Sequence, residues 1–342
     1  MTNRTPAWFQ QVISNLNYED HHLDVDACSI HYQLFHPPPQ AVQKCGVVLV
    51  HGGGAHSRWW DWTAPFLQKD GHLVACIDLS GQGDSEDRES YNMNTNALEV
   101  IEVARALQSV HGLQKLITEK PVVIGHSFGG WITMLCGRYY GEELGGIIVL
   151  DSSVRPANHP NNMRGPPMKK KKPGTKTREE LRKRFRLMPP QPVKNNYLLD
   201  YIFPLSVRET DEGVIVWKDD PNRFQKNSDY NPNYTQEEAI EMDTRMSQRL
   251  RGIQCRMTIM WGEHSEFFQD PAVVEYMRRE VEAHSPGGTQ HTPIIMIPDS
   301  HHHVMFDQPL VVVTALQTVL SGWLAADEQE SLGSRSLPMA KM

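Results

Sequence analysis

One short stretch constrains this chain more than any other. The apolar run Val122-Val-Ile124 leads directly into Gly125-His126-Ser127-Phe128-Gly129, followed by Gly130 and a helical pattern to about residue 140. A G-x-S-x-G pattern is common by chance. Placed between a strand and a helix, it predicts a sharp turn that lifts the serine out of the sheet. In so tight a turn, bulky residues two positions either side of Ser127 would collide. Gly125 and Gly129 relieve that crowding. Ser127 Oγ is then expected at the carboxyl edge of a strand, beside a helix N-terminus. The Phe128 N–H is expected to point at a negative charge developing on an attacked carbonyl oxygen.

The surrounding sequence has a strand–helix rhythm. Gly46-Val-Val-Leu-Val50, Leu73-Val-Ala-Cys-Ile77 and Gly146-Ile-Ile-Val-Leu150 are continuous apolar runs, as are Arg256-Met-Thr-Ile-Met-Trp261 and Pro293-Ile-Ile-Met-Ile297. Runs of this kind suit strands buried on both faces. Residues 23–34 alternate loosely, as an antiparallel pair at a sheet edge would. Residues 95–110 and 309–324 have helical spacing. Strands alternating with helices predict an α/β domain built on a mostly parallel sheet with helices on both faces. Two regions break the rhythm. Residues 153–250 are rich in Pro, Asn, Lys and Arg, and are too long for a structureless loop. They are expected to form an inserted lid, partly helical at 177–185 and 236–249. Residues 327–342 carry no periodic pattern and are expected to be a disordered tail. The core is therefore expected at 1–152 and 251–326.

Further chemistry gathers at strand ends. His51-Gly52-Gly53-Gly54 follows the first long run. Its glycines would let the backbone approach a substrate, with the N–H of Gly53 or of Gly54 as a second oxyanion donor. A serine hydroxyl is a weak nucleophile and needs a positioned base. Of sixteen histidines, position selects His301, His302 and His303, in the loop after the last strand. Three adjacent histidines also suit a metal, but no second ligand cluster stands at a usable spacing, so no metal is expected.

Four motifs taken in order resemble the α/β-hydrolase superfamily, of the lid-bearing ester and lactone hydrolase kind. They are His51-Gly-Gly-Gly54, Asp78-x-x-Gly81-x-Gly83-x-Ser85, Gly125-His-Ser-Phe-Gly129 and His302-His-Val-Met-Phe-Asp-Gln-Pro309. The resemblance spans residues 20–325 and implies an eight-stranded sheet with a lid. In the family's last motif the catalytic histidine stands seven residues before a proline, which selects His302. His301 and His303 are then packing or pocket-lining residues. Asp78, Gly81 and Gly83 are structural, with Asp78 bonding loop amides.

The acid departs from the family pattern. Its commonest place is an Asp after the next-to-last strand, in a W-G-x-x-D-like pattern. Here that segment reads Trp261-Gly-Glu-His-Ser265. Some members place the acid one strand earlier, which here is Asp151, twenty-four residues beyond Ser127. Asp151 is the first candidate to orient the histidine, with Glu263 and Glu266 behind it. Trp59, Trp60 and Trp62 follow the oxyanion loop, where one could line the pocket or all could pack in the core. Arg182 and Arg186 could meet a substrate carboxylate, although a solvated helix face suits them better.

The resemblance implies a serine hydrolase acting on a small-molecule ester or lactone through an acyl-enzyme, with no cofactor. Haloalkane dehalogenases and epoxide hydrolases carry Asp at the serine position. Three alternatives stay open: a carbon–carbon bond hydrolase of the meta-cleavage type, a cofactor-independent lyase or oxygenase, and a non-catalytic small-molecule binding module. Composition narrows the setting. The longest nearly apolar run, residues 310–320, is about half of the ~20 residues a membrane span needs. The first residues lack the apolar core of a secretory signal. Five scattered cysteines with no C-x-x-C predict a reducing, cytoplasmic compartment. Residues 164–186 hold eleven Lys/Arg against two Glu, a local +9, while the chain as a whole is −7. Phe185 is the only aromatic residue among them, so a solvated surface segment is expected rather than a nucleic-acid site.

Overall fold

The computed structural model describes residues 5–109, 120–157, 159–160, 177–229, 235–284 and 293–335. Its centre is an eight-stranded sheet. The chain enters through helix α1 (Ala7–Ser14) and the antiparallel pair β1 (Glu19–Asp24) and β2 (Ser29–Phe35). It continues through β3 (Gly46–Val50), α2 (Ala64–Lys69), β4 (Leu73–Ile77), α3 (Met93–Ser109), β5 (Val122–His126), α4 (Phe128–Tyr140) and β6 (Gly146–Leu150). After residue 150 come α5 (Arg178–Arg184), α6 (Asn196–Leu205), the hairpin β7 (Val207–Glu209) and β8 (Ile215–Trp217), and α7 (Gln236–Ser247). The sheet is completed by β9 (Met257–Gly262), α8 (Pro271–His284) and β10 (Ile294–Ile297), then closed by α9 (Val304–Asp307) and α10 (Pro309–Arg335).

The strand order is β1-β2-β4-β3-β5-β6-β9-β10. From β4 to β10 every neighbouring pair is parallel. Each β3, β4, β5 and β6 residue is buried because the sheet is covered on both sides. In β3, Val48 and Val50 face one cluster with α3 and α4 residues such as Ile101 and Ile132. Val47 and Leu49 face a second cluster with Leu67, Ile202 and Leu316. Two-sided burial explains why these strands read as unbroken apolar runs instead of alternating ones. Because the strands are parallel, their carboxyl ends share one edge, and residues 51–54, 78–85, 127, 151, 262–265 and 298–303 gather there.

Within residues 153–250, Thr177 accepts from Glu180 N to start α5, and Thr235 and Glu238 form a reciprocal capping box on α7. These helices fall where the periodicity put them. Helix α6 and the β7–β8 hairpin were not read from the sequence. A small core of Leu181, Phe203, Val207 and Ile215 holds this segment together. It is laced to the sheet domain through Gly83 N to Lys218 O, Asp220 N to Gly81 O and the Tyr91 hydroxyl to Asp220. Most of the basic stretch, residues 161–176, lies outside the described residues.

Two expectations need correction. Helix α10 runs to Arg335, so residues 327–335 continue a helix instead of forming an irregular tail. Arg256 anchors that extension through an ion pair with Asp327. The same helix also exceeds the 310–320 run. Its Pro309–Gln329 portion is long and apolar enough to cross a membrane by length and composition. In this fold Val312, Leu316 and Leu320 are buried against the sheet.

Candidate active site

Ser127 lies between β5 and α4 with φ 56° and ψ −119°, a strained conformation for a residue with a side chain. The glycines around it are required by contact. A Cβ on Gly125 would lie 2.2 Å from Thr133 Oγ1, and one on Gly129 would lie 2.4 Å from the His51 carbonyl oxygen. The turn is held by Ser127 N–H donating to Leu150 O on β6 at 2.9 Å. The serine side chain is thereby aimed away from the sheet and stays partly exposed.

His302 reaches this serine. Its Nε2 is 2.9 Å from Ser127 Oγ, and its Nδ1 is 2.6 Å from Asp151 Oδ2. A carboxylate can only accept, so Nδ1 carries the hydrogen and Nε2 presents a lone pair to the hydroxyl. Burial pushes the imidazole pKa down to about 4, so the ring is neutral at neutral pH and free to take a proton. Asp151 stands at the end of β6 with φ 48°. Burial pushes its carboxyl up, and two donors act against that. Ser265 Oγ donates to Oδ2 at 2.6 Å and Gly262 N–H donates to Oδ1 at 2.9 Å.

Of the three carboxylates considered, Asp151 alone is hydrogen-bonded to His302 among the described residues. Glu263 accepts instead from Asp299 N–H, and Glu266 is exposed. Ser265 occupies the position where a family acid would commonly stand, and it supports the acid from there. The W-G-x-x-S reading marked this position but did not reveal its role.

The flanking histidines turn elsewhere. His301 Nδ1 pairs with Asp307 at 3.0 Å, while buried His303 donates from Nε2 to Met188 O at 3.2 Å. Phe267 packs edge-on to His302, ring centroids 4.6 Å apart. Trp60 and Trp62 are core residues. Trp62 Nε1 donates to Met305 O, and Trp59 packs against His303 and Phe306. Arg182 pairs with Asp200 on the exposed face of the insertion.

The candidate oxyanion donors differ in whether their N–H groups are committed. Phe128 N–H is at the first position of α4, where no carbonyl four residues back is available within the helix. A Cβ on Gly53 would lie 3.6 Å from Phe128 Cβ, so the two backbones are close neighbours. Gly54 N–H is already committed, donating to Gln82 Oε1 at 2.7 Å. Of the two glycines weighed, Gly53 therefore keeps the available N–H. Nothing local in the sequence marks Gln82 as the residue that makes this choice. Asp78 accepts from Ser57 N–H, Asp84 N–H and His31, which ties the segment after Gly54 to β2 and to the loop after β4.

Residues 47–315 match the sequence model of the alpha/beta hydrolase family. The chain belongs to that family. Similar sequences include norfluorocurarine synthase 1 of Strychnos nux-vomica, 33% identical over 33% of this chain and 40% of the relative. They also include polyneuridine aldehyde esterase of Rauvolfia serpentina, 29% identical over 36% and 45%, and methylesterase 1 of Arabidopsis thaliana, 29% identical over 34% and 43%. The chain thus spans less than half the length of these relatives. Similar solved structures include the thioesterase domain from the curacin biosynthetic pathway, with a TM-score of 0.62 and 15% identity over 88% of this chain and all of that one. An esterase from Mycobacterium tuberculosis has a TM-score of 0.60 and 18% identity over 92% and 97%. These likenesses agree with the eight-stranded α/β-hydrolase fold.

Proposed function

We propose that this α/β hydrolase cleaves a carboxylic ester or lactone through an acyl-enzyme on Ser127. The carrying observation is the continuous chain Ser127 Oγ–His302–Asp151, with bonds of 2.9 and 2.6 Å. His302 Nε2 takes the hydroxyl proton as Oγ attacks the carbonyl carbon. The oxygen gains negative charge and is held by the N–H groups of Phe128 and Gly53. His302 then delivers the proton to the departing alkoxide oxygen, leaving the acyl group on Ser127. A water molecule, deprotonated by His302, attacks that ester and releases the acid. Asp151 keeps the imidazole in the productive tautomer and stabilises its cation. Residues 153–250 act as the lid that sets the pocket's size.

The esterase names among the relatives support the substrate class. A lyase-type reaction on the same scaffold is the second reading, favoured by the relatives named as synthases. The five buried, unpaired cysteines support a reducing, cytoplasmic setting.

A fluorophosphonate probe tests the proposal. The adduct is expected on Ser127 by peptide mass spectrometry, absent in His302→Ala and weaker in Asp151→Ala. A folded protein that hydrolyses esters without an adduct at Ser127, or a Ser127→Ala variant that keeps activity, overturns it.

A further inference from the structure

His302 belongs to a second constellation that the ester chemistry does not use. His126 on β5, His302 and His303 each bring one ring nitrogen to within 4.8 Å of the others. Their ring centroids are 4.8 to 5.3 Å apart. All three side chains are buried, at 1%, 3% and 5% exposure.

Hydrogen bonding fixes the form of each ring. His126 Nε2 is 3.0 Å from the His302 carbonyl oxygen, and His303 Nε2 is 3.2 Å from that of Met188. A carbonyl only accepts, so each Nε2 carries the hydrogen. Burial keeps both rings neutral, so each Nδ1 is a bare lone pair. Neither Nδ1 has a hydrogen-bond partner among the described residues. Buried acceptors are rarely left in that condition. His302 supplies a third lone pair at Nε2, with its Nδ1–H on Asp151. A neutral imidazole whose other nitrogen donates to a carbonyl or carboxylate is the form in which histidine ligates transition metals. All three rings have it. The Gly52 backbone packs over this cluster, since a Cβ there would lie 3.1 Å from His126 Nδ1 and 3.3 Å from Ser127 Cβ.

We propose that His126, His302 and His303 form an inhibitory site for a borderline-soft divalent transition metal, with Zn²⁺ as the test ion. Three imidazole nitrogens with a fourth position open suit zinc. The nitrogens must draw in to reach bonds of about 2.0–2.1 Å. In doing so His302 gives the metal the lone pair that otherwise faces Ser127 Oγ. The metal and the serine proton therefore compete for one atom. No bond of the substrate is made or broken in this step. The inhibition rests on the serine-hydrolase reading, whereas metal binding does not.

The experiment keeps the two apart by reading binding and labelling separately on the full chain. Zn²⁺ binding is measured by calorimetry, and Co²⁺ serves as a spectroscopic probe. One ion is expected, with the visible spectrum of a four-coordinate nitrogen site. His126→Gln and His303→Gln should each weaken binding by at least ~10–100-fold, the loss seen when even an outer-shell partner is removed. Ser127→Ala should bind at least as tightly as the unmodified protein. Zn²⁺ should suppress fluorophosphonate labelling of Ser127 and a chelator should restore it, while His303→Gln should still label at a Zn²⁺ level that silences the parent. Thermal melting of the metal-free variants confirms folding, and if one glutamine variant fails to fold the other decides. Absence of Zn²⁺ binding, or binding of equal strength in the folded glutamine variants, overturns the proposal. If the metal-free parent does not label, the hydrolase reading falls and the binding data still decide the site.

Discussion

The molecule holds two buried histidine–carboxylate pairs of nearly equal length at opposite ends of a chemical scale. His302 meets Asp151 at 2.6 Å, and His31 meets Asp78 at 2.7 Å. Both carboxylates stand just past the carboxyl end of a parallel strand. The partners of the other nitrogen differ. His302 Nε2 faces a hydroxyl, so burial prevails and the ring stays neutral. His31 Nε2 faces a second carboxylate, Asp20, at 2.9 Å. Burial opposes charge there too, but the bonds to Asp78 and Asp20 outweigh it and raise the pKa. A buried His–Asp pair is therefore not a base by virtue of the pair. The carboxylates around the ring, set against burial, decide the direction in which its pKa moves; at His31 Asp78 contributes most, followed by Asp20 and Asp84.

The largest test of this contrast is Ser127→Ala, which should lower kcat by about 10⁶-fold, as loss of a hydrolase nucleophile does. Asp151→Asn should follow at about 10⁴-fold, because the amide favours the wrong imidazole tautomer. Chemical denaturation should show both variants folded. The corresponding change at the other pair acts on stability. His31→Asn should cost about 3 kcal/mol of unfolding free energy, with kcat/KM changed less than about tenfold. The pH dependence has a definite sign. The raised folded pKa makes the His31 contribution complete below about 6.5, the unfolded value, and removes it as pH rises through the folded pKa. The difference between parent and His31→Asn should therefore shrink in urea titrations above neutrality. A hydrolytic loss at His31 as large as that at Asp151 would break the distinction.

Smaller effects sharpen it. Ser265→Ala removes one of two donors to Asp151 and should cost roughly tenfold in kcat, close to the 1.5–3 kcal/mol of a hydrogen bond to a charged group. Finally, kcat/KM should fall on the acid side with an apparent pKa that belongs to the hydrogen-bonded His302–Asp151 pair, since burial pushes the imidazole down and the carboxyl up. A pH–rate profile with no acid limb at all would remove His302 as the base.

The sequence exposed those parts of the fold in which local pattern and global position agree. Strands β3 to β6 are buried on both faces and therefore read as apolar runs. Helix α6 escaped notice because Pro204 lies within it and its apolar face meets the sheet domain only in three dimensions. The β7–β8 hairpin has three residues per strand, too few for an alternation to register. Past Leu324, α10 is joined to a remote segment by the Arg256–Asp327 pair, which no local pattern shows. At the candidate site, Ser127 could be named from its motif and context, and His302 and Asp151 from the family resemblance, and the fold brings the three into contact. Three features could not be read, because each is a relation between remote segments. Gln82 occupies Gly54, Ser265 supports the acid from the place where one is commonly found, and His126 joins His302 from 176 residues away.

Ser127 and Asp151 share one further property. Both follow adjacent central strands, and both hold positive φ, a conformation that costs of order 1–3 kcal/mol per residue. The β5–β6–β9 register helps to hold both turns, through Ser127 N–H to Leu150 O and Asp151 N–H to Met260 O. Turnover therefore serves as a gauge of the sheet's integrity. During gentle heating or mild denaturation, the catalytic signal should decay while the helices on either face still give their full circular dichroism.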